Sequence, residues 1–419
     1  MRVFAPMRAA VALGVSTLCV VLGAAACVGD DPVAQSGGPA NAASGDASPN
    51  GSNDADVDGG HDAQDPGSCI APLADCDGNG SCETSTSTEP KHCGACGHDC
   101  GGGTCQNGRC QPQTIAPNVD APIGLAVNSS GVFWIRASAA EKCSKSGCIG
   151  APTVLATSST QKDVLGRRQI FANETMVYWL GDSPSTGTDI YIYACDVGGC
   201  GMVPTQIGDY TGVGQLVGNS TSLFWYDSTG GLKRVPLAGG TPEYLSSVYR
   251  AESFGFAVDE NTLVFSNTDF SAAGAGGVWI GKIENKPPTK LMDKGRHVAI
   301  AAGTTVVASV DINPTQSTVV SCPVSGCGGA GIQLFTTPEG TIQDIVADGT
   351  AVYWAVKASA GAADGKIRGC KLPACPGGPE TFAEGQANPL ALALDGEFVY
   401  WANAGTGAAN TGSIQRVRR

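Results

Sequence analysis

The chain has 419 residues, of which 59 are Gly and 24 are Pro, and only 15% of them are charged. Many turn-forming residues, few charges and no amphipathic helical run favour an all-β protein with long loops. The formal net charge of −13 argues against a surface that follows phosphates, so nucleic-acid binding is not expected.

Residues 1–26 have the features of an export signal peptide. Arg2 and Arg8 come before or at the start of an apolar run from Ala9 to Ala26, and the segment has no acidic residue. The run is too short, and too closely followed by polar sequence, for a stable membrane-spanning helix. The ending LGAAAC resembles a bacterial lipoprotein signal, which implies that Cys27 is lipidated after cleavage. Cleavage after Ala26 by the ordinary route would instead release a freely secreted protein.

Residues 27–68 are expected to form a lipid-anchored, disordered linker. From Val28 to Ser68 the chain contains no Lys, no Arg and no aromatic residue. Such a composition buries too little apolar area to offset the conformational entropy of the chain. A flexible coil of this length spans about 35 Å root-mean-square, which would lift a domain off a membrane.

Residues 69–112 form a disulfide-rich module. Of the 18 cysteines in the chain, Cys19 and Cys27 lie in the leader, and the rest are an even number, as a disulfide framework in an oxidising compartment requires. Eight of them fall between Cys69 and Cys110 and substitute for a hydrophobic core, with their pairing left open. Structural zinc is the alternative, but the spacing lacks paired CxxC motifs or His partners. The phrases DCDGNGSCE and HCGACGHDC resemble a Cys-rich module of exported bacterial surface proteins.

Three residues of this module are candidate metal ligands. Asp75, Asp77 and Asn79, followed by Gly80, match the first half of a calcium-binding loop. The twelfth position of that loop would be Thr86 rather than an acid, and turns capped by Asp and Asn side chains explain the residues equally well. Calcium is therefore the one cofactor that the sequence suggests.

A repeated unit fills residues 113–419. Each copy has a short apolar strand, a polar turn and a second strand with an aromatic pair, and successive pairs are 40 to 47 residues apart. This period is typical of a propeller blade of four strands. We expect seven blades, or six if the fifth unit is degenerate. The aligned pairs are Phe133-Trp134, Tyr178-Trp179, Phe224-Trp225, Val264-Phe265, Val307-Ala308, Tyr353-Trp354 and Tyr400-Trp401.

The aromatic residues are interpreted as core that wedges between neighbouring blades. They alternate with smaller residues along a strand, and their regular placement favours core over a carbohydrate platform. The units resemble those of the YWTD and NHL propeller families, which implies a propeller fold. The nearest match to the YWTD tetrad is Tyr400-Trp-Ala-Asn403, so the resemblance implies no binding residue.

The two ends of the repeat are expected to share a blade. The last unit stops at Arg419 after its third strand, whereas Gln113–Ala116 has the form of a fourth strand. Pairing of these segments would leave no open sheet edge.

Four blades carry a CxxxxC motif between their third and fourth strands. Gly or Pro within each motif marks a turn, so each pair is expected to bridge its own hairpin in a structural role. The expected disulfides join Cys143 with Cys148, Cys195 with Cys200, Cys322 with Cys327, and Cys370 with Cys375.

No catalytic motif emerges from the sequence. His297 is the one His in the propeller, and HExxH, GxSxG and Gly-rich phosphate loops are absent. Long loops of small, uncharged residues follow the aromatic strands and suit binding better than catalysis. These loops are Gly181–Thr188, Asn267–Gly277, Lys357–Gly365 and Asn403–Gly412, and they should lie opposite the disulfide hairpins.

The sequence thus predicts an exported, monomeric protein, either an outer-membrane lipoprotein or extracellular, that meets the membrane through its lipid anchor only. Its propeller is expected to bind a protein or glycan at the cell surface. The alternative is an exported propeller enzyme, lactonase-like or glycan-cleaving, that uses carboxylates and calcium. A third hypothesis is a structural component of the envelope. Acids clustered in the central channel would favour the enzyme, and an uncharged channel would favour binding.

Overall fold

The computed structural model describes residues 69–136, 139–157, 170–182, 190–209, 215–226, 231–246, 255–267, 276–284, 287–357 and 363–419. Every regular element in these ranges is a β-strand. The predicted signal peptide, the linker and Cys27 lie outside the described residues.

Seven four-stranded antiparallel sheets follow one another along the chain and confirm the seven-bladed β-propeller. The fifth unit is a complete blade. Blade 1 consists of β6 to β9 (Gly124–Val127, Val132–Arg136, Ala139–Cys143, Thr153–Thr157), and blade 2 of β10 to β13 (Ile170–Ala172, Met176–Asp182, Ile190–Asp196, Thr205–Asp209). Blade 3 consists of β14 to β17 (Leu216–Gly218, Ser222–Tyr226, Leu232–Pro236, Glu243–Ser246), and blade 4 of β18 to β21 (Phe256–Val258, Thr262–Asn267, Gly277–Lys282, Thr289–Met292). Blade 5 consists of β22 to β25 (Val298–Ala301, Thr305–Asn313, Gln316–Pro323, Ile332–Thr337), and blade 6 of β26 to β29 (Thr341–Ala347, Ala351–Lys357, Gly365–Lys371, Glu380–Gln386).

Blade 7 closes the ring with strands from both ends of the repeat. Its first three strands are β30 (Pro389–Leu394), β31 (Phe398–Asn403) and β32 (Gly412–Arg418), and its fourth is β5 (Gln113–Val119). Ala116 pairs with Ile414, and Gln113 pairs with Arg416. The segment predicted to complete the last blade therefore does so, and no blade is left with three strands.

Seven hydrophobic cores lie between neighbouring blades. Side chains alternate between the two faces of a strand, so the first member of each aromatic pair faces the next blade and the second faces the preceding one. Core residues of adjacent blades meet as Tyr400 with Trp134, Phe133 with Trp179, Tyr178 with Trp225, Phe224 with Phe265, Val264 with Ala308, Val307 with Trp354, and Tyr353 with Trp401. The five Trp residues of these pairs are at most 1% exposed, which makes them core and not a carbohydrate platform.

The antiparallel topology gives the propeller two distinct faces. We define the turn face as the end that carries the turns between first and second strands and the hairpins between third and fourth strands. The loop face is the opposite end, with the loops between second and third strands. Each CxxxxC pair forms a disulfide within its own hairpin on the turn face. The bonds join Cys143 with Cys148, Cys195 with Cys200, Cys322 with Cys327, and Cys370 with Cys375.

Three of the disulfide hairpins also contact the backbone of the preceding blade. Cys148 N donates to Ile115 O of blade 7 at 3.2 Å. Cys200 Sγ lies 3.4 Å from Leu155 O of blade 1, and Cys327 Sγ lies 3.7 Å from Leu291 O of blade 4.

The hairpin of blade 6 turns differently from the other three. In blades 1, 2 and 5 the residue before the second cysteine is a Gly with φ between 115° and 121°. Ala374 takes this place in blade 6, and Cys375 itself has a φ of 52°. Cys375 is 6% exposed and packs with Cys370 in the core between blades 5 and 6. A disulfide joins Cys370 and Cys375 here too, but the left-handed residue of the turn is Cys375 and not a Gly within the motif.

The Cys-rich module has short strands β1 (Leu73–Ala74), β2 (Thr84–Ser85), β3 (Cys105–Gln106) and β4 (Arg109–Cys110). Its eight cysteines form four disulfides: Cys69–Cys82, Cys76–Cys96, Cys93–Cys105 and Cys100–Cys110. Cys93 and Cys100 belong to the same core as Trp401 and Tyr353 of blades 7 and 6. The module therefore lies on the turn face of blade 7, where the other blades have a hairpin.

Arg416 of β32 holds the module on the ring. Its guanidinium donates to Gln113 Oε1 at 2.8 Å and to Gly101 O at 2.9 Å, and it lies 4.1 Å from the centre of the Phe398 ring. The side chain is 7% exposed, so these contacts are largely shielded from water.

Candidate functional site

The seven inner strands enclose a channel that widens into a cavity of about 670 Å³ near the turn face. Each inner strand lies at the edge of its sheet, so a row of backbone N–H and C=O groups faces the channel axis. The side chains of these strands that line the cavity are small or apolar. They include Ala126, Val127, Phe171, Ala172, Val217, Val258, Ile300, Val346, Ala347 and Leu394. The volume falls in the range of ligand pockets, roughly 300–1,000 Å³.

Ionisable side chains along the described cavity wall occur on blade 4 alone, as Asp259, Glu260 and Lys282. Asp259 Oδ1 accepts the backbone N–H groups of Asn261 at 2.8 Å and Thr262 at 2.7 Å. Glu260 accepts the hydroxyl of Ser220 from blade 3. Both carboxylates are therefore engaged in holding turns, and the rest of the described wall offers backbone hydrogen bonds and apolar contact.

Phe171 gives the channel wall a marked asymmetry. This half-buried side chain of β10 reaches across to blade 3, where a Cβ at Gly218 would lie 2.6 Å from its ring. The absence of a side chain at Gly218 leaves room for the Phe171 ring against the neighbouring strand.

Side chains of Asn or Asp cap the inner turn of six blades at the channel rim. In each case Oδ1 accepts two backbone N–H groups of the turn, a geometry that Asn and Asp favour. The capping residues are Asn128, Asn173, Asn219, Asp259, Asp348 and Asp395. Blade 5 instead turns through Ala302 and Gly303, whose φ angles are 46° and 67°.

Two of these turns also bind the next blade. Asn128 Nδ2 donates to Asn173 O at 2.6 Å, and the hydroxyl of the following residue, Ser129, donates to Glu174. Blades 3 and 4 repeat the arrangement: Asn219 Nδ2 donates to Asp259 O at 3.3 Å. Sequence reasoning noted the polar turns but missed these links, because the partners are 40 to 45 residues apart.

The capping carboxylates of blades 6 and 7, Asp348 and Asp395, both have lowered pKa values. Partial burial alone would raise the pKa of Asp348, but hydrogen bonds from Arg419 and from the turn of Thr350 outweigh it and lower the pKa to about 2. Burial likewise opposes ionisation of Asp395, and the contact with Lys145 of blade 1 lowers its pKa. Lys145 Nζ lies 2.8 Å from Asp395 Oδ2, so this pair ties blade 7 to blade 1.

Asp344 is a buried carboxylate whose hydrogen bonds give it a structural role. It is 2% exposed, and its oxygens accept the N–H groups of Ile345 at 2.9 Å and Leu392 at 2.8 Å. These bonds occupy the free edges of the inner strands of blades 6 and 7 and hold the two strands together.

The predicted calcium ligands lie close together in an exposed turn. Asp75, Asp77 and Glu83 place carboxylate oxygens within 4.8 Å of one another. Asp75 accepts the N–H groups of Gly78 at 2.7 Å and Gly80 at 2.9 Å, and these bonds lower its pKa. Asn79 Oδ1 accepts Ser81 N at 2.7 Å instead of pointing at Asp75. The geometry is that of nested Asx-turns, and calcium binding at Asp75, Asp77 and Asn79 stays a prediction.

The described Cys and His residues that could form a metal site or a catalytic site do not do so. Cys76 and Cys96 lie beside His92, but their sulfurs are joined in a disulfide, which removes them as zinc ligands. His297 is 6% exposed, and its backbone N–H donates to Ser309 Oγ at 3.1 Å. His297 is not among the residues that line the channel cavity.

The loops expected to bind a ligand fall largely outside the described ranges, since residues 183–189, 268–275 and 358–362 are not described. In the loop Asn403–Gly412, Thr411 Oγ1 donates to Ala408 O at 2.7 Å and accepts Thr406 N at 3.0 Å. The channel wall was not identified as a candidate site from the sequence. The small and apolar residues of the seven inner strands were the feature that could have indicated it.

None of the described residues forms a helix that is long and apolar enough to cross a membrane. No protein-family model matches the sequence, and no curated protein matches it either. Solved structures with a similar backbone include the N-terminal domain of Nup159, at 13% identity over 74% of this chain and 94% of that one, with a TM-score of 0.47. U3-55K is 14% identical over 74% and 98% of the two chains, with a TM-score of 0.49. BamB from Moraxella catarrhalis is 12% identical over 72% and 84%, with a TM-score of 0.42. At this level of similarity, these structures carry no argument about ligand, reaction or location.

Proposed function

We propose that this chain is an exported, lipid-anchored binding protein whose propeller takes an uncharged segment of a surface protein into its central channel. The observation that carries the proposal is the channel wall, which combines inner strands at the edges of their sheets with small apolar side chains. Strand edges bind extended peptides through backbone hydrogen bonds, and alternate side chains then enter apolar pockets. A glycan would be served better by carboxylates and amides than by the Ala and Val residues of this wall.

The cellular location is part of the same proposal. The eight disulfides among the described residues favour an oxidising compartment, and the leader before Cys27 favours a lipid anchor in the outer membrane. Cys27→Ala should then lower the membrane-bound fraction of the protein and remove the mass of the lipid from the mature chain. An unchanged mass and partition would show that the protein is secreted without a lipid.

Catalysis in the channel is a weaker alternative to binding. An enzyme using carboxylates needs an acid free to exchange protons with a substrate, whereas Asp259 and Glu260 are bound to turn N–H groups and to Ser220. Hydrolysis of lactones or glycosides by the purified protein, abolished by Asp259→Asn or Glu260→Gln, would support the enzyme instead.

The binding proposal can be tested with a photo-cross-linking amino acid in the channel wall. At position 347 it should capture a discrete protein adduct on intact cells, whereas at Ile312, at the tip of a hairpin on the loop face, it should not. Ala172→Asp places an uncompensated charge in the channel wall and should abolish the adduct at 347. The matched change Ile312→Asp should leave it intact. Failure to form an adduct, or an adduct insensitive to Ala172→Asp, would contradict channel binding.

A further inference from the structure

Large apolar side chains are exposed on the Cys-rich module and on two disulfide hairpins of the turn face. Ile70 and Leu73 of the Cys-rich module are 76% and 43% exposed. Ile149, in the disulfide hairpin of blade 1, is fully exposed, and Met202 and Val203, in the hairpin of blade 2, are 48% and 78% exposed. We call these five residues the apolar arc.

The three parts are adjacent in the ring. The module lies on blade 7 through the contact of Gly101 with Arg416. Blade 7 is bound to blade 1 by Asp395 and Lys145, and blade 1 is bound to blade 2 through Asn128. Because third-to-fourth-strand hairpins all project from one end of a propeller, the two hairpins of the arc point away from the loop face.

The hairpin tips have a composition that suits a lipid surface. Residues 146–153 read SGCIGAPT and residues 197–205 read VGGCGMVPT, without a charged side chain in either. Insertion of these residues into an apolar medium desolvates no charge of their own, and Lys145, which precedes the first segment, is paired with Asp395. A disulfide braces each tip, so little conformational entropy is lost on insertion. Protein interfaces are enriched in Trp, Tyr and Arg, which both tips lack.

The chain that precedes the described residues enters at the same place. Ile70 follows Cys69 directly, so the connection to Cys27 and to the apolar run Ala9–Ala26 leaves from the arc. A tether converts contact of the arc with the membrane into an intramolecular event with a high effective concentration. The charged cavity rim on blade 4 lies across the seven-membered ring from blade 1, on the side that a tilted propeller would keep in water.

We propose that the apolar arc rests on the surface of a lipid bilayer, so that the propeller stands tilted on blades 7, 1 and 2. The contact adds to any lipid anchor at Cys27 and orients the channel mouth at the membrane surface. It needs no anionic lipid, because the one cationic side chain of the two hairpins, Lys145, is paired with Asp395.

The test uses tryptophan as a depth probe on the mature chain. The chain carries Cys27→Ala followed by a histidine tag and is held on zwitterionic vesicles by a nickel-chelating lipid. The tag replaces the lipid, so the outcome does not depend on whether Cys27 is lipidated. Ile149→Trp and Val203→Trp should show a blue shift of emission on vesicles and a loss of emission when the vesicles contain brominated acyl chains.

Ile312→Trp is the matched control, because Ile312 is 55% exposed on the loop face, and it should show neither change. Five of the six native Trp residues are fully buried, and the unsubstituted chain supplies the background. A second measurement is co-sedimentation with vesicles that lack nickel lipid, which Ile149→Asp with Val203→Asp should lower and Ile312→Asp should not. Absence of quenching at 149 and 203, as expected if the arc binds a protein instead, would overturn the proposal. Equal quenching at 312 would do so as well.

Discussion

A missing Cβ at Gly218 shapes one side of the channel. The Phe171 ring occupies the volume that any side chain at this position would need, because a Cβ would lie 2.6 Å from it. Contacts this short force a rotamer change or a shift of the backbone. The pair therefore decides how far the ring reaches into the channel.

We predict that Gly218→Ala destabilises the protein by about 1–3 kcal/mol, the usual cost of overpacking a core. Adding Phe171→Leu should recover most of the loss, because the smaller side chain can move aside. Gly396→Ala is the matched control, since nothing lies within 4 Å of a Cβ there. Thermal denaturation of the oxidised protein measures all three, and equal effects at positions 218 and 396 would contradict the contact.

The carboxylate of Asp348 makes stability depend on pH in a defined window. Its pKa falls from 3.8 to about 2 on folding, so the folded state favours the ionised form. This contribution is fully present above about pH 4 and is lost as the pH falls toward 2. The side chain is 28% exposed, so solvent screening keeps the effect modest.

Asp348→Asn should therefore lower the melting temperature at pH 7 and flatten its dependence on pH between 4 and 2. Asp120→Asn, which changes an exposed acid, serves as the control. Parallel pH profiles for the wild type and Asp348→Asn would show that the Arg419 contact does not stabilise the fold.

At the scale of elements, the Cys-rich module replaces the hairpin that blade 7 lacks. Blades 1, 2, 5 and 6 each brace their third and fourth strands with a disulfide. In blade 7 those strands come from opposite ends of the repeat, so no hairpin joins them. The module fills the gap, and Arg416 bonds both to it and to β5.

Arg416→Ala should remove this link and leave Gly101 O and Gln113 Oε1 without their buried donor. Hydrogen bonds to a charged group contribute about 1.5–3 kcal/mol, so we expect a loss of that size and faster proteolysis between the module and β5. Arg234→Ala breaks an ion pair whose side chains are 29% and 48% exposed, which should cost at most about 1 kcal/mol. Similar losses for the two variants would mean that the module is not held by Arg416.

At the scale of the whole molecule, stability depends on closure of the ring. Seven interblade cores form a closed cycle, and β5 joins its two ends. Removal of β5 would expose an apolar sheet edge, which invites aggregation.

A chain that begins at Pro117 should melt at a lower temperature and aggregate, whereas a chain that begins at Gln111 should stay monomeric. Both lack the disulfides of the Cys-rich module, so the comparison isolates residues 111–116, of which 113–116 belong to β5. Light scattering and thermal denaturation give the readout. Equal melting temperatures with both chains monomeric would show that the first four residues of β5 do not hold the ring closed.

The first six blades could be predicted from the sequence, because each of them lies within one repeat of 40 to 47 residues. The alternation of aromatic and small residues predicts both faces of the second strand, and CxxxxC predicts its own hairpin. Closure through Gln113–Ala116 followed from the same pattern, as the fourth strand that the last repeat lacks.

The contacts between repeats and at the candidate site could not be predicted from the sequence. Arg416 and Gly101 are 315 residues apart, and no periodic pattern links a guanidinium to a backbone carbonyl. Phe171 lies against Gly218 because closure of the ring sets neighbouring inner strands side by side, and the apolar arc exists because three hairpin ends share one face. Local periodicity dictates which residues form a strand, whereas the packing of whole blades dictates which distant side chains meet.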